Sequence, residues 1–154
     1  NIPATEFFTE LYTTALARDE LLQDIRFPPL PANSGTAYGK FAARNAMDYT
    51  STVSVAVRLV VDPDKGTIVD VGLGCGGLGF TPVCAKETEA VFIGRKPDPE
   101  TFASARQALF GELEPIEDHL YSADYKRHVA SVILRRTMER AYRRALPQTG
   151  ASSP

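Results

Sequence analysis

Cysteine is scarce in this chain. Cys75 and Cys84 are the only two in 154 residues. Two are too few for a disulfide framework, and no CxxC pair offers a metal site. That usage suits a reducing compartment, and a cytoplasmic location is expected. Long apolar runs are also missing: nothing approaches the roughly 20 residues that a membrane span needs. No secretory signal pattern opens the chain. Its first residue is Asn1 and not methionine, so a segment removed upstream is expected. Charge bias is weak, with 17 Lys and Arg against 19 Asp and Glu and a net charge of −2. The whole chain is therefore not drawn to nucleic acid or membrane. Histidine is thin as well. His119 and His128 stand apart, and neither has a Ser, Cys or Asp partner at a catalytic spacing. Both are expected to be structural or solvated. Internal repeats and long low-complexity segments are absent.

What remains is the composition of a globular protein, 44% hydrophobic and 23% charged. The length is that of one domain and suffices for a core without cross-links. Phe7, Phe8, Leu11, Tyr12 and Ala15 recur at helical spacing and predict a helix over 3–16. Residues 20–27 read as a strand closed by Pro28, Pro29 and Pro31, which no central strand or helix accommodates. A boundary is placed there, giving segments 1–31, 32–146 and 147–154. A strand is expected over 36–43. Residues 51–61 give the clearest strand, with Val53, Val55, Val57, Leu59 and Val61 on one face. Asp62-Pro63-Asp64-Lys65-Gly66 is a turn, and 67–73 is the returning strand. Helices are expected over 83–93, stopped at Gly94, and from Asp98, with Pro99 in its first turn. The second of these has a stripe of Phe102, Ala105, Leu109, Phe110 and Leu113, and Pro115 ends it. Ser122 caps a last helix to about Ala145, with a stripe of Tyr125, Val129, Val132, Ile133 and the stem of Arg136. The tail from Pro147 is expected to be disordered. Strands followed by helices predict an α+β layout: a three-stranded antiparallel sheet packed on a three-helix bundle.

Several patterns could carry chemistry. Gly72 to Gly79 satisfies GxGxxG, the spacing with which backbone amides cradle a pyrophosphate. The context fails, because no second parallel strand with an acidic residue follows. A glycine-rich strand end or bulge is the plainer reading. In the strand at Thr36–Arg44, Tyr38 and Lys40 share a face on either side of Gly39. A ring beside an ammonium suits a planar electron-accepting ligand, since one stacks and the other stabilises added negative charge. An ordinary exposed strand face has the same residues. Cys84 lies near a helix start, where a thiol pKa falls, but a small buried apolar role is the plainer expectation. The last helix is basic, with Lys126, Arg127, Arg135, Arg136, Arg140, Arg143 and Arg144 against Asp124 and Glu139. With few aromatics interleaved, a subunit-facing or solvated surface is expected and nucleic acid is not.

Four blocks, in order, add a resemblance. They are Pro3-Ala4-Thr5-Glu6-Phe7-Phe8 with Asp19 to Pro28; Ala37-Tyr38-Gly39-Lys40-Phe41-Ala42-Ala43-Arg44-Asn45-Ala46-Met47-Asp48; Gly74 to Gly79 with Thr81-Pro82, Ala85, Glu89 and Gly94; and Ser122 to Arg127 with Leu134-Arg135-Arg136. Together they resemble the C-terminal part of the FAD-binding medium subunit of molybdenum hydroxylases, the carbon monoxide dehydrogenase and xanthine dehydrogenase family. Asn45 departs from the pattern, which often has a second basic residue there. The resemblance implies that 1–31 is a remnant of the FAD domain, a helix plus a strand, and 32–146 the flavoprotein C-terminal domain. It implies an oxidoreductase complex in which electrons pass from a molybdenum cofactor through 2Fe–2S clusters to FAD. The partners implied are a molybdopterin-containing large subunit and an iron–sulfur small subunit, with a homodimer of the complex. By the motif, Tyr38 and Lys40 lie near the isoalloxazine ring, Leu22 or Gln23 lies on a strand approaching FAD, and Asp48 and Arg44 support the site. The glycine-rich phosphate-binding segments of such subunits are absent from this sequence, so the fragment alone is not expected to be active. The alternative is a subunit-interaction module that binds no flavin on its own.

Overall fold

Alternation of valine with smaller or polar residues decides the central strand. In the structure, a computed structural model describing residues 1–42 and 52–146, Val53, Val55, Val57, Leu59 and Val61 are all buried on one side of β4 (Val53–Val61). The sheet that contains β4 has the order β3-β4-β5-β6, with β3 at Ser34–Phe41, β5 at Ile68–Gly76 and β6 at Val83–Cys84. Every neighbouring pair is antiparallel. The expected three strands are present, and the two residues of β6 add a short fourth.

The turn between β4 and β5 forms where Asp62 predicts it. Its Oδ1 accepts from the amides of Asp64 at 2.9 Å and Lys65 at 3.1 Å, an Asx-type closure. β5 runs past residue 73 to Gly76. Val71, Leu73 and Cys75 face the core while Gly72, Gly74 and Gly76 alternate onto the other side. The GxGxxG run is thus largely strand, and a positive φ first occurs at Gly77 (φ 78).

The helices cover one face. Val83 and Cys84 pair with β5, and α2 (Lys86–Phe92) starts only after them, shorter than the expected 83–93. The free edge of β5 takes precedence there, since unpaired strand amides and carbonyls need partners. Ala85 N donates to Leu73 O, and Leu73 N donates to Glu89 Oε1 at 2.8 Å. α3 (Pro99–Glu112) begins with Asp98 accepting from Thr101 N at 2.8 Å. The carboxylate of Glu112, at the far end of α3, accepts from Glu87 N, Thr88 N and Thr88 Oγ1. It caps α2, whose own N-cap residue Ala85 has no side-chain oxygen. α4 (Ala123–Ala145) begins with Ser122 accepting from Tyr125 N.

The buried stripe of α4 is rotated from the expected one. It consists of Lys126, Val129, Ala130, Ile133, Leu134, Thr137, Met138, Ala141 and Ala145, while Tyr125 and Arg136 are exposed. Small residues are selected because α4 lies directly on the backbone of β3. A Cβ on Gly39 would meet Ile133 Cγ2 at 2.9 Å, and one on Gly35 would collide with the carbonyl oxygen of Ala141. The contacts pair Gly39 with Thr137 and Gly35 with Ala141, so helix and strand run antiparallel.

The first 31 residues depart most from expectation. The helix over 3–16 is reduced to α1 (Ala4–Phe7), followed by a small hairpin of β1 (Phe8–Glu10) and β2 (Thr13–Thr14). Residues 20–31 hold no regular element, so the strand over 20–27 is not formed. The physical reason is the same for both. A short amphipathic helix draws its stability from packing, and a strand needs an edge to pair with. Here Tyr12 is 100% exposed, Leu21 91% and Phe27 84%. The expected disorder from Pro147 lies outside the described residues, as do Arg44 and Asp48.

Candidate functional site

With the helices on one face, the other face of the sheet is open among the described residues. Strand register sets side chains in rows across it. Tyr38 pairs with Ala56, Ala56 with Gly74, and Gly74 with Cys84. The next row is Lys40, Ser54 and Gly76, and on the other side lie Thr36, Arg58 and Gly72. The middle of this face therefore carries almost no side-chain volume. The shelf spans about 10 Å from β3 to β5 at ordinary strand spacing. Tyr38, 56% exposed, and the exposed Lys40 form its rim on β3. Arg58 bounds it on one side, held by Asp70, with Nη1 to Oδ2 at 2.5 Å. That contact raises the Arg58 pKa and lowers that of Asp70, so both stay ionised.

Among the described residues, packing does not require glycine at 72 or 74. A Cβ on Gly74 would meet, among the described residues, only Ala56 Cβ at 4.0 Å, and one on Gly72 only the Arg58 side chain, from 3.5 Å. Gly76 alone is close to a neighbour, Ser54 Oγ at 2.7 Å. Bare backbone on an open sheet face leaves room for a flat group to lie against it. The chemistry available there is stacking from Tyr38 and a positive charge from Lys40.

Around the edge of β3 the surface turns into a groove of about 540 Å³, lined by Tyr38, Gly39, Lys40, Ile133, Arg136, Thr137, Glu139, Arg140 and Arg143. Two arginines of α4 close the strand edge itself. Arg140 Nη2 donates to Tyr38 O at 2.9 Å, and Arg144 Nη1 donates to Thr36 O at 2.6 Å. One helical repeat of four residues rises about 6 Å, close to the roughly 6.6 Å of two strand residues. Successive arginines therefore meet successive outward carbonyls. Charge on an exposed edge also blocks pairing with foreign strands.

Of the expected site residues, Tyr38 and Lys40 are brought together on the shelf rim. Leu22 and Gln23 lie on the exposed segment 20–31. Among the described residues no hydrogen bond links 1–30 to the sheet. Asp48 and Arg44 fall outside the described residues. The expectation for Cys84 is reversed, since it is exposed on β6. Cys75 takes the buried apolar place, and burial pushes its thiol up to about 12. His119 and His128 are both exposed. The basic residues of α4 divide by task. Lys126 is buried between Ile116 O at 2.6 Å and Asp118 at 2.5 Å, and Arg127 binds Leu113 O and Asp124. Arg135 pairs with Glu139.

The glycine-rich strand end expected over Gly72 to Gly79 is present as β5 to Gly76, but the returning strand is expected only to 73, so the shelf it forms with β3 and β4 is not foreseen. The usable signal was alternation of Gly72, Gly74 and Gly76 with Val71, Leu73 and Cys75, which has a strand's period of two. Among the described residues, no helix is long and apolar enough to cross a membrane. Nor does any group of three or more His, Cys, Asp or Glu there form a metal site.

The family described as CO dehydrogenase flavoprotein C-terminal domain matches residues 37–141. The chain is 31% identical over 144 residues to the carbon monoxide dehydrogenase medium chain of Afipia carboxidovorans, covering 94% of this chain and 49% of that one. It is 33% identical over 140 residues to the nicotine 6-hydroxylase medium subunit of Paenarthrobacter nicotinovorans, covering 91% and 47%. Among solved structures, it superposes with a TM-score of 0.83 and 29% identity on carbon monoxide dehydrogenase from Hydrogenophaga pseudoflava, in a form lacking the Mo-pyranopterin moiety of the molybdenum cofactor. That likeness covers 93% of this chain and 48% of the other. The chain thus spans about half the length of the curated relatives it matches.

Proposed function

The chain belongs to the CO dehydrogenase flavoprotein C-terminal domain family, the C-terminal domain of the FAD-binding subunit of molybdenum hydroxylases, and on that footing we propose that its open sheet face completes the isoalloxazine side of an FAD site. The observation that carries this reading is the shelf. Tyr38 and Lys40 border a floor made bare by Gly72, Gly74 and Ala56, and packing among the described residues does not call for glycine at 72 or 74. A planar ring fits such a surface where a Cβ would obstruct it. When bound, FAD would supply electron transfer. Lys40 would place its ammonium beside the negative charge of the reduced ring, and Tyr38 would stack and exclude water.

In the same reading, residues 1–31 are the end of the FAD domain and 32–146 the C-terminal domain. Leu22, Gln23 and Asp48 belong to the wall or its support. The exposed Leu21, Ile25 and Phe27 favour this, since so much apolar surface on one segment calls for a cover. The complete protein would be a cytoplasmic oxidoreductase, receiving electrons from 2Fe–2S clusters in a small subunit and a molybdenum cofactor in a large one. A homodimer of that complex is part of the proposal.

The test is Lys40→Ala in the complete flavin subunit. Weaker FAD binding and a lower flavin reduction potential are expected, and unchanged values of both would sink the reading. A spectrum of this chain after mixing with FAD and desalting separates wall from complete site. No retained flavin is expected, because the phosphate-binding segments are absent from the sequence.

A further inference from the structure

Among the described residues β3 is an edge strand of the four-stranded sheet. It is eight residues long and contains no proline, so a bare edge there would be a template for another strand. Its pairing with β4 fixes which backbone groups are left over. Val61 N donates to Asn33 O, and the register runs unbroken from Ser34 opposite Val60 to Phe41 opposite Val53. Odd-numbered residues of β3 therefore bond to β4, while Ser34, Thr36, Tyr38 and Lys40 turn their amides and carbonyls outward. The two central outward carbonyls, of Thr36 and Tyr38, are the two taken by Arg144 and Arg140. The amides of Thr36, Tyr38 and Lys40 have no partner among the described residues.

The guanidinium groups occupy the lane of a further strand. An added strand would lie about 4.8 Å from β3 and donate its amides to these same two oxygens. Arginine nitrogens already stand there, at 2.9 Å from Tyr38 O and 2.6 Å from Thr36 O. Thr137 Oγ1, at 3.4 Å, braces Arg140 from below. The strand best matched to this edge is the β3 of a second copy, since identical strands pair antiparallel about a two-fold axis. That pairing would also crowd Lys40, Arg140 and Arg144 of both copies together, and like charges across an interface oppose association. We propose that Arg140 and Arg144 lock the β3 edge and so keep a second copy of this protein from adding its own β3 to the sheet. The lock excludes one class of interface, and a homodimer of the complex is built on other surfaces. The inference stands apart from the flavin-wall reading, because it concerns backbone groups at the strand edge and not the side chains that border the shelf.

The experiment follows amide hydrogen exchange at Thr36, Tyr38 and Lys40 in dilute and concentrated samples of the complete flavin subunit, with sedimentation velocity on the same samples. Arg140→Met/Arg144→Met removes both bonds and keeps the apolar stems. Arg136→Met/Arg143→Met is the control. It removes as much charge from the same helix and adds as much apolar surface, but among the described residues it breaks no bond to the strand. In the parent and the control, protection of the three amides should not change with concentration. In the lock variant it should rise at least about tenfold in the concentrated sample, together with a larger sedimenting species. Should the double variant lose its circular dichroism spectrum, Arg144→Met alone decides. Arg144 is exposed, and its bond to the strand goes to Thr36 O, so the Thr36 amide should then gain protection with concentration. The proposal is overturned if a folded lock variant gains no concentration-dependent protection or if the control gains as much. It is equally overturned if the parent itself pairs through these amides as concentration rises. None of these results touches the flavin-wall reading, which Lys40→Ala tests through the flavin potential.

Discussion

Replacing Gly35 with alanine is the sharpest test of how α4 sits on the sheet. Gly35 is not among the residues with positive φ, so the backbone itself would accept alanine. The obstacle is steric. The new Cβ would collide with Ala141 O, with Ala141 C at 2.8 Å and Ala145 N at 2.9 Å. All three are backbone atoms of one helix, so no side chain can rotate away. Since carbon atoms rest about 3.5–4.0 Å apart, the helix has to withdraw by roughly 1 Å. Overpacking of this kind costs about 1–3 kcal/mol. Withdrawal also strains the bonds from Arg140 to Tyr38 O and from Arg144 to Thr36 O, each contributing about 1 kcal/mol. The sum is about 3–5 kcal/mol, a large share of the roughly 5–15 kcal/mol that stabilises a domain. With a urea slope of about 2 kcal/mol per molar, the unfolding midpoint should fall by roughly 2 M. A midpoint within about 0.3 M of the parent chain, with the slope unchanged, would refute the close helix–strand contact.

Gly74→Ala is the counterpart. Among the described residues its Cβ meets only Ala56 Cβ at 4.0 Å, so the urea midpoint should hold or rise slightly, while FAD affinity in the complete subunit should fall. Unchanged affinity would remove the shelf from the flavin site. Asp118 has its carboxyl held down to about 2 by the Lys126 ammonium and by the amides of Leu120 and Tyr121. A depressed carboxylate pKa contributes stability that is present above the ordinary 3.8 and lost as pH falls through about 2. The difference in urea midpoint between the parent and Asp118→Asn should therefore shrink as pH drops across that window, and a constant difference would contradict the pairing. For the cysteines, a thiol reagent at neutral pH should label Cys84 in the folded chain and reach Cys75 only after unfolding, because burial holds Cys75 protonated up to about 12. Mass spectrometry of the labelled peptides reads this directly, and native labelling at Cys75 would contradict the core placement.

The parts of this protein legible in its sequence are those decided by neighbours along the chain. The alternation in Val53–Val61, the Asx turn at Asp62 and the caps at Asp98 and Ser122 each rest on residues within a few positions. The motif blocks were legible too, and with them the family. Tertiary structure decided the rest. Among the described residues, 3–16 and 20–27 find little to pack against, so the expected helix is reduced to Ala4–Phe7 and the expected strand is not formed. The face of α4 was set by contact with Gly35 and Gly39, which favours Ala141 and Thr137 over the broader stripe that periodicity alone suggests. The glycine shelf exists only because antiparallel register sets Gly74 beside Ala56 and Ala56 beside Tyr38. The arginine clamp joins Arg140 to Tyr38 and Arg144 to Thr36, residues 102 and 108 positions apart. Local pattern fixes the turns and strands because their hydrogen bonds close over a few residues. The ligand-facing surfaces wait for folding, because they are built by strands and a helix whose meeting depends on the packing of the whole core.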